Sequence, residues 1–236
     1  AGGKCGLCFC PGKTVTRDRG GGLWSRDLAT DLAALRAAGV TQLVCLLNPS
    51  ELRSLHVDPK AYPGNCRKAR IQLRQLEIIE GAGPTCSMDD FASLMDEFAA
   101  PFLNASTEAT APGTLSVAAP AGAGTQGAGV AGGTGPPHAV SEEEPSDEFG
   151  AVQGIVFHCR GGVGRAGLMA ACLALRLGVV TSSAAAVSWI RKRRSKTAVE
   201  TSKQEAFVDH YAVHLGLPTG RPVPSWRRPA PAAVHG

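Results

Sequence analysis

Ten consecutive residues carry most of the chemistry this chain could do: His158-Cys159-Arg160-Gly161-Gly162-Val163-Gly164-Arg165-Ala166-Gly167. They lie between a short apolar run and a strongly apolar helical pattern. A glycine-rich turn in that position points successive backbone N–H groups into one concavity, with the positive end of a helix dipole behind them. Gly161, Gly162 and Gly164 let the backbone curl close to a ligand with no Cβ in the way. The turn from Arg160 through Val163 to Arg165 therefore suits an oxyanion of phosphate size. Cys159 stands where the same N–H groups favour a thiolate. Arg165 can clamp two phosphoryl oxygens bidentately, which a lysine cannot. A thiolate beside a cradle for an oxyanion is what these residue types allow.

The spacing His158-Cys159-x-x-Gly162-x-x-Arg165 resembles the signature loop of the cysteine-dependent dual-specificity and tyrosine protein phosphatases. The extended run through Leu168-Met169-Ala170-Ala171-Cys172-Leu173, and the opening Leu7-Cys8-Phe9-Cys10-Pro11-Gly12, resemble the kinase-associated branch of that family. The resemblance implies hydrolysis of phosphotyrosine and phosphoserine/threonine through a phosphocysteine intermediate, without metal or other cofactor. It implies a phosphoprotein substrate, with a cyclin-dependent kinase as a candidate partner. Cys159 would be the nucleophile, the loop amides and Arg165 would hold the equatorial oxygens, and a buried His158 would support the thiolate. Simple packing at a strand end is the other reading of His158.

In the family the general acid is an aspartate on a loop before a helix. The matching stretch is Ile78-Ile79-Glu80-Gly81-Ala82-Gly83-Pro84, which puts Glu80 in that place. Asp89 and Asp90 are rivals, although carboxylates also suit the first turn of a helix. Gln204, in Thr201-Ser202-Lys203-Gln204, resembles the glutamine that positions water for the second step; its alternative is an ordinary helix-surface residue. Glu200 occupies the place of another family glutamine. Ala166 replaces the usual Ser or Thr after the arginine, and Glu80 replaces an aspartate. These two departures keep open a second reading, an impaired pseudophosphatase that binds phosphoproteins.

The elements around these residues read as α/β. Ser25 can cap a helix with Leu28, Leu32 and Leu35 at helical spacing and Gly39 at its end. Leu43 to Leu47 reads as a buried strand, Ile71 to Ile79 as another, and Gly154 to Phe157 as a third. Met88, Phe91, Leu94, Met95, Phe98 and Phe102 mark one helix face. Leu168 to Leu177 is a strongly apolar helix. A further helix starts at Ser182 or Ser183, and the last opens with the capping box Ser202-x-x-Glu205. Strands alternating with helices predict a mostly parallel central sheet with helices on both faces.

The 236 residues carry a net charge of +4 and suit one domain. That charge is too mild to argue for nucleic acid, and no run of about 18 apolar residues suggests a transmembrane segment. Residues 104–140 are mostly Ala, Gly, Pro, Ser and Thr, and 141–148 carry five carboxylates. Residues 104–148 therefore read as a disordered insertion, and 218–236 as a Pro/Arg-rich tail. One phosphatase-type domain is expected from 1–103 plus 149–217. The eight cysteines are irregularly spaced and sit in apolar runs, as buried free thiols do. They point to a reducing compartment, cytoplasmic or nuclear. Cys5-x-x-Cys8-x-Cys10 reads either as part of a strand or as half of a zinc site. Arg191, Lys192, Arg193, Arg194 and Lys196 read as a solvated helix end or as a docking patch for an acidic partner or a phosphoinositide. The sequence opens Ala1-Gly2-Gly3 without a methionine, so a targeting peptide cannot be judged.

Overall fold

A computed structural model of the chain describes residues 3–16, 23–104 and 154–221. The expected insertion, apart from Asn104, and most of the expected tail lie outside the described residues. In chain order the first half runs β1 (Lys4–Phe9), β2 (Thr14–Thr16), β3 (Leu23–Ser25), α1 (Leu28–Ala37), β4 (Gln42–Cys45) and α2 (Pro49–Ser54). Then come α3 (Tyr62–Lys68), β5 (Gln72–Gln75), α4 (Met88–Asn104), β6 (Gly154–Cys159), α5 (Arg165–Arg176), α6 (Ser183–Arg193) and α7 (Ser202–His214).

Four strands form one sheet in the order β1-β6-β4-β5, every pair parallel. β2 and β3 form a separate antiparallel pair. Strand β6 lies between β1 and β4 and is buried along its whole length, so its unbroken apolar run is what a central parallel strand requires. The register sets Phe9 beside Cys159 and both Cys8 and Cys45 beside His158. The carboxyl ends of three strands thus meet where the glycine loop begins, the edge of a parallel sheet where ligands bind. On one face α1 packs against α3 and α3 against β5; on the other, α5 contacts β1, β6, α4, α6 and α7.

Helix α5 carries the core on its side of the sheet. Its residues from Arg165 to Leu175 are all buried, which explains a stretch apolar all round. Phe91, Met95, Phe98 and Phe102 of α4 are buried at the expected spacing, and Phe98 meets Phe157 edge to face at 5.5 Å. All eight cysteines are free; seven are buried and Cys86 is exposed. Cys5 and Cys8 are strand residues with their thiols in the core.

Several boundaries differ from the sequence reading. Ser25 belongs to β3, and the cap of α1 is Asp27, whose carboxylate accepts from the Thr30 N–H. The expected Ile71–Ile79 strand is shorter, because the chain leaves the sheet after Gln75. Helix α7 is capped by Thr201 rather than Ser202, its hydroxyl accepting from Gln204 N. Residues 218–221, assigned to the tail, are held against the domain. Pro218 O and Thr219 O accept from Ser183 N and Ala184 N, and Arg221 pairs with Glu205 and Asp209. No helix among the described residues is long and apolar enough to cross a membrane.

Candidate active site

The loop from Cys159 to Arg165 owes its shape to the residues around it. Gly162 has φ +68°, and a Cβ there would lie 2.3 Å from Cys8 O, so only glycine fits. Its N–H donates to Cys159 Sγ at 3.2 Å. Gly164 is the N-cap of α5 and lends that helix no side-chain cap, so the cap leaves the first N–H groups of α5 without a side-chain acceptor of its own. Gly161, by contrast, has open space where a Cβ would be.

Three consecutive carbonyls of the loop are turned away from the cradle and held by cations. Lys13 Nζ donates to Arg160 O at 3.1 Å. Arg194 donates from Nε to Gly162 O at 2.9 Å and from Nη2 to Gly161 O at 3.3 Å. With the carbonyls satisfied outside, the N–H groups are left for an anion. Lys13 is itself buried, with its ammonium 4.9 Å from the ring centres of both Phe9 and Trp24. Burial lowers its pKa. The turn that delivers it is anchored by Asp31, which accepts from Gly12 N at 2.9 Å and pairs with Arg26.

Arg165 is 3% exposed. Its Nη1 lies 3.0 Å from Glu51 Oε2, 2.8 Å from Glu51 Oε1, 2.9 Å from Ile78 O and 3.4 Å from Leu46 O. Among the described residues every protein acceptor of this guanidinium is reached through Nη1. The Nε and Nη2 edge remains for a bidentate oxyanion.

His158 is fully buried at the end of β6, and its Nε2 lies 3.1 Å from Tyr62 Oη. Its Nδ1 is buried with no partner among the described residues. Burial, aided by the Arg165 charge, pushes its pKa down to about 3. The imidazole is therefore neutral near neutral pH. Burial also pushes the Cys5, Cys45 and Cys66 thiols up to about 12, and raises Cys8, Cys10 and Cys172. These are inert core thiols. Cys10 and Cys45 donate their S–H to carbonyls, whereas Cys159 accepts a loop N–H.

Glu80 is exposed in the turn that follows Ile78, and its carboxylate has no protein partner among the described residues. That loop is tied to the site twice: Ile78 O accepts from Arg165, and Gly81 O accepts from Thr201 Oγ1 at 2.6 Å. Asp89 and Asp90 serve α4 instead. Asp90 exchanges hydrogen bonds with Ser87 at the helix start, and Asp89 is exposed 3.8 Å from His214. Gln204 is 1% exposed and so is no surface residue. Its Oε1 accepts from Glu200 N at 2.8 Å, and its Nε2 leans over Gly164.

The structure thus gathers the loop, Arg165, His158, Gln204 and Glu200, with the Glu80 loop alongside. Sequence reasoning missed Glu51, Lys13, Arg194 and Tyr62. Asn48-Pro49-Ser50-Glu51 has the spacing of a capping box, and that box is formed, so the signal for Glu51 was present. Arg194 was read within a basic cluster, of which Arg191 is also structural, bonded to Ala198 O, Val199 O and Glu205. No pattern marks Lys13 or Tyr62. No cluster of three metal-ligating side chains occurs among the described residues.

The same overall fold is found in solved phosphatases. Residues 139–208 match the family model described as PTP-SAK, Swiss Army Knife protein, DSP-PTPase phosphatase domain. Kinase associated phosphatase, solved with its catalytic cysteine replaced by serine, superposes with a TM-score of 0.61 at 19% identity. That match covers 90% of this chain and 87% of that one. A mutant form of Tk-PTP superposes with a TM-score of 0.50 at 14% identity, covering 86% of this chain and 97% of that one. No curated protein sequence matches the chain.

Proposed function

We propose that this protein is a protein phosphatase that hydrolyses phosphotyrosine and phosphoserine/threonine through a phosphocysteine. The observation that carries this reading is the loop itself. Cys159 Sγ accepts a loop N–H, three loop carbonyls are held outward, and the buried Arg165 keeps one edge free. In the first step Cys159 Sγ attacks phosphorus, the bond to the Tyr or Ser/Thr oxygen breaks, and Glu80 gives that oxygen a proton. The loop N–H groups and Arg165 hold the three equatorial oxygens as charge redistributes. In the second step a water attacks the phosphocysteine, oriented by the Gln204 amide, and Cys159 leaves as a thiolate. No metal or cofactor enters these steps. The substrate is a phosphoprotein; by analogy with the kinase associated phosphatase, a phosphorylated cyclin-dependent kinase is the first to try. The seven buried free thiols fit a reducing compartment, cytoplasmic or nuclear.

The test is vanadate-sensitive hydrolysis of paired phosphotyrosine and phosphothreonine peptides by the native chain and by Cys159→Ser. The serine variant is expected to lose turnover and still bind phosphopeptide, because the cradle is mostly backbone. Substantial activity in that variant would end the covalent mechanism. Ala166, fully buried and without a hydroxyl, favours the second reading of a phosphoprotein-binding pseudophosphatase. Tight phosphopeptide binding with no turnover in the native chain would select it.

A further inference from the structure

Glu200 carries a carboxylate to the mouth of an anion-binding loop, where it should repel the ligand unless it has work to do. Its Oε2 lies 2.1 Å from where a Cβ on Gly164 would be, and Gln204 Nε2 lies 3.2 Å from the same point. A glycine at 164 is what lets both groups reach the loop. The two are also locked together, since the Glu200 N–H donates to Gln204 Oε1 at 2.8 Å. With its oxygen used that way, Gln204 can present only its amide N–H groups, as donors. An acceptor from Glu200 and a donor from Gln204 thus flank one spot beside Gly164. This is the pairing a water molecule needs when one proton must leave and the oxygen must stay aimed.

The backbone aims Glu200 there at a cost. The preceding residue, Val199, has φ +59°, a conformation disfavoured for a β-branched side chain. The strain is held by the surroundings: Val199 N donates to Val163 O at 3.4 Å, and Arg191 binds Ala198 O and Val199 O at 2.9 and 3.1 Å. Backbone strain fixed in this way is typical of functional positions.

We infer that Glu200 is the general base of the second step, a division of labour in which Glu80 serves the first. This rests on the phosphatase reading. As the water oxygen bonds to phosphorus, its proton passes to the Glu200 carboxylate. The P–S bond breaks, and its electron pair returns to Cys159 Sγ as thiolate. Phosphate departs, and Glu200, which is exposed, gives the proton to solvent.

The experiment is rapid-quench measurement of the phosphoenzyme with a dinitrophenyl phosphate, whose leaving group needs no acid. The first step is then fast in every variant, and the decay of the phosphoenzyme is read directly. Glu200→Gln keeps the shape and removes the base. It should leave the rate of phosphoenzyme formation unchanged, let at least as much phosphoenzyme accumulate, and slow its decay about tenfold to a hundredfold. It should also remove the solvent deuterium isotope effect on decay, which a merely structural role would not touch. Glu200→Asp should retain that isotope effect at a slower decay. Decay in Glu200→Gln at the native rate or faster would overturn the inference, as would a change confined to formation. Failure to detect any Cys159-linked phosphoenzyme would instead sink the phosphatase reading beneath it.

Discussion

Glu51 holds Arg165 through a single guanidinium nitrogen, Nη1, with both carboxylate oxygens within 3.0 Å. The same carboxylate closes the capping box of α2 by accepting from Asn48 N at 3.1 Å. One side chain therefore starts a helix and orients the Arg165 guanidinium. Glu51→Ala strips the partner from a buried cation, which costs about 3–5 kcal/mol when nothing replaces it. Glu51→Gln keeps the cap and much of the shape. The expected order in urea midpoint is native, then Gln, then Ala. Both variants should lose kcat/KM, and a fully active Glu51→Ala would remove Arg165 positioning from its role.

The two neighbouring glycines of the loop should behave in opposite ways. Gly162→Ala puts a Cβ against Cys8 O in a backbone at φ +68°, so sheet and loop must part. A loss of more than about 2 kcal/mol is expected, with phosphate binding abolished. Gly161→Ala meets nothing within 4 Å, so its effect should stay within about 0.5 kcal/mol. Chemical denaturation of the pair checks both.

His158 makes the fold sensitive to acid. Its pKa falls from an ordinary 6.5 to about 3 on folding. Below pH 6.5 the unfolded chain binds a proton that the native chain refuses, so stability drops as pH falls toward 3. At pH 5 the loss is about 2 kcal/mol from this residue. His158→Gln removes the titration, and its unfolding free energy should change less between pH 7 and pH 5. Parallel curves for the two proteins would show that His158 is not the origin.

Ala166 bears on the second step. A hydroxyl donated to the departing thiolate is worth about 1.5–3 kcal/mol, or about tenfold to a hundredfold in rate. Ala166→Ser should raise kcat and leave kcat/KM nearly unchanged, since kcat/KM reports only steps through release of the first product. Stopped-flow with an aryl phosphate should show a burst in the native chain that shrinks in the serine variant. An unchanged kcat would move the bottleneck to Glu80.

The parts of the site legible in sequence are those that sit close together along the chain. Cys159, Gly162 and Arg165 share one loop, and their residue types state the chemistry. The α/β order was readable for a similar reason, since a fully buried β6 and an all-apolar α5 leave plain patterns. What stayed hidden depends on distant segments meeting. Glu51 is 114 residues from Arg165 and Lys13 is 147 from Arg160, and neither pairing has a local period. The two misplaced caps have a more local cause. Ser25 and Ser202 are adequate cap residues, but Asp27 and Thr201 stand nearer the points where β3 and the positively turned Val199 let a helix begin.

The outward-held carbonyls make the anion cradle a measure of assembly. Lys13 arrives from just after the first strand and Arg194 from the end of α6, so the loop sequence alone does not define the receptor. A chain synthesised only through α5 would contain the complete signature motif and still lack a competent binder. On the phosphatase reading, ligand occupancy would favour chains in which both Lys13 and Arg194 have reached the loop. An oxyanion such as vanadate at a hundred times its Kd adds about 2.7 kcal/mol to the folded state. On the same reading, phosphate in a cell would act as a folding ligand, favouring chains in which the turn after β1 and the end of α6 have both closed on the loop.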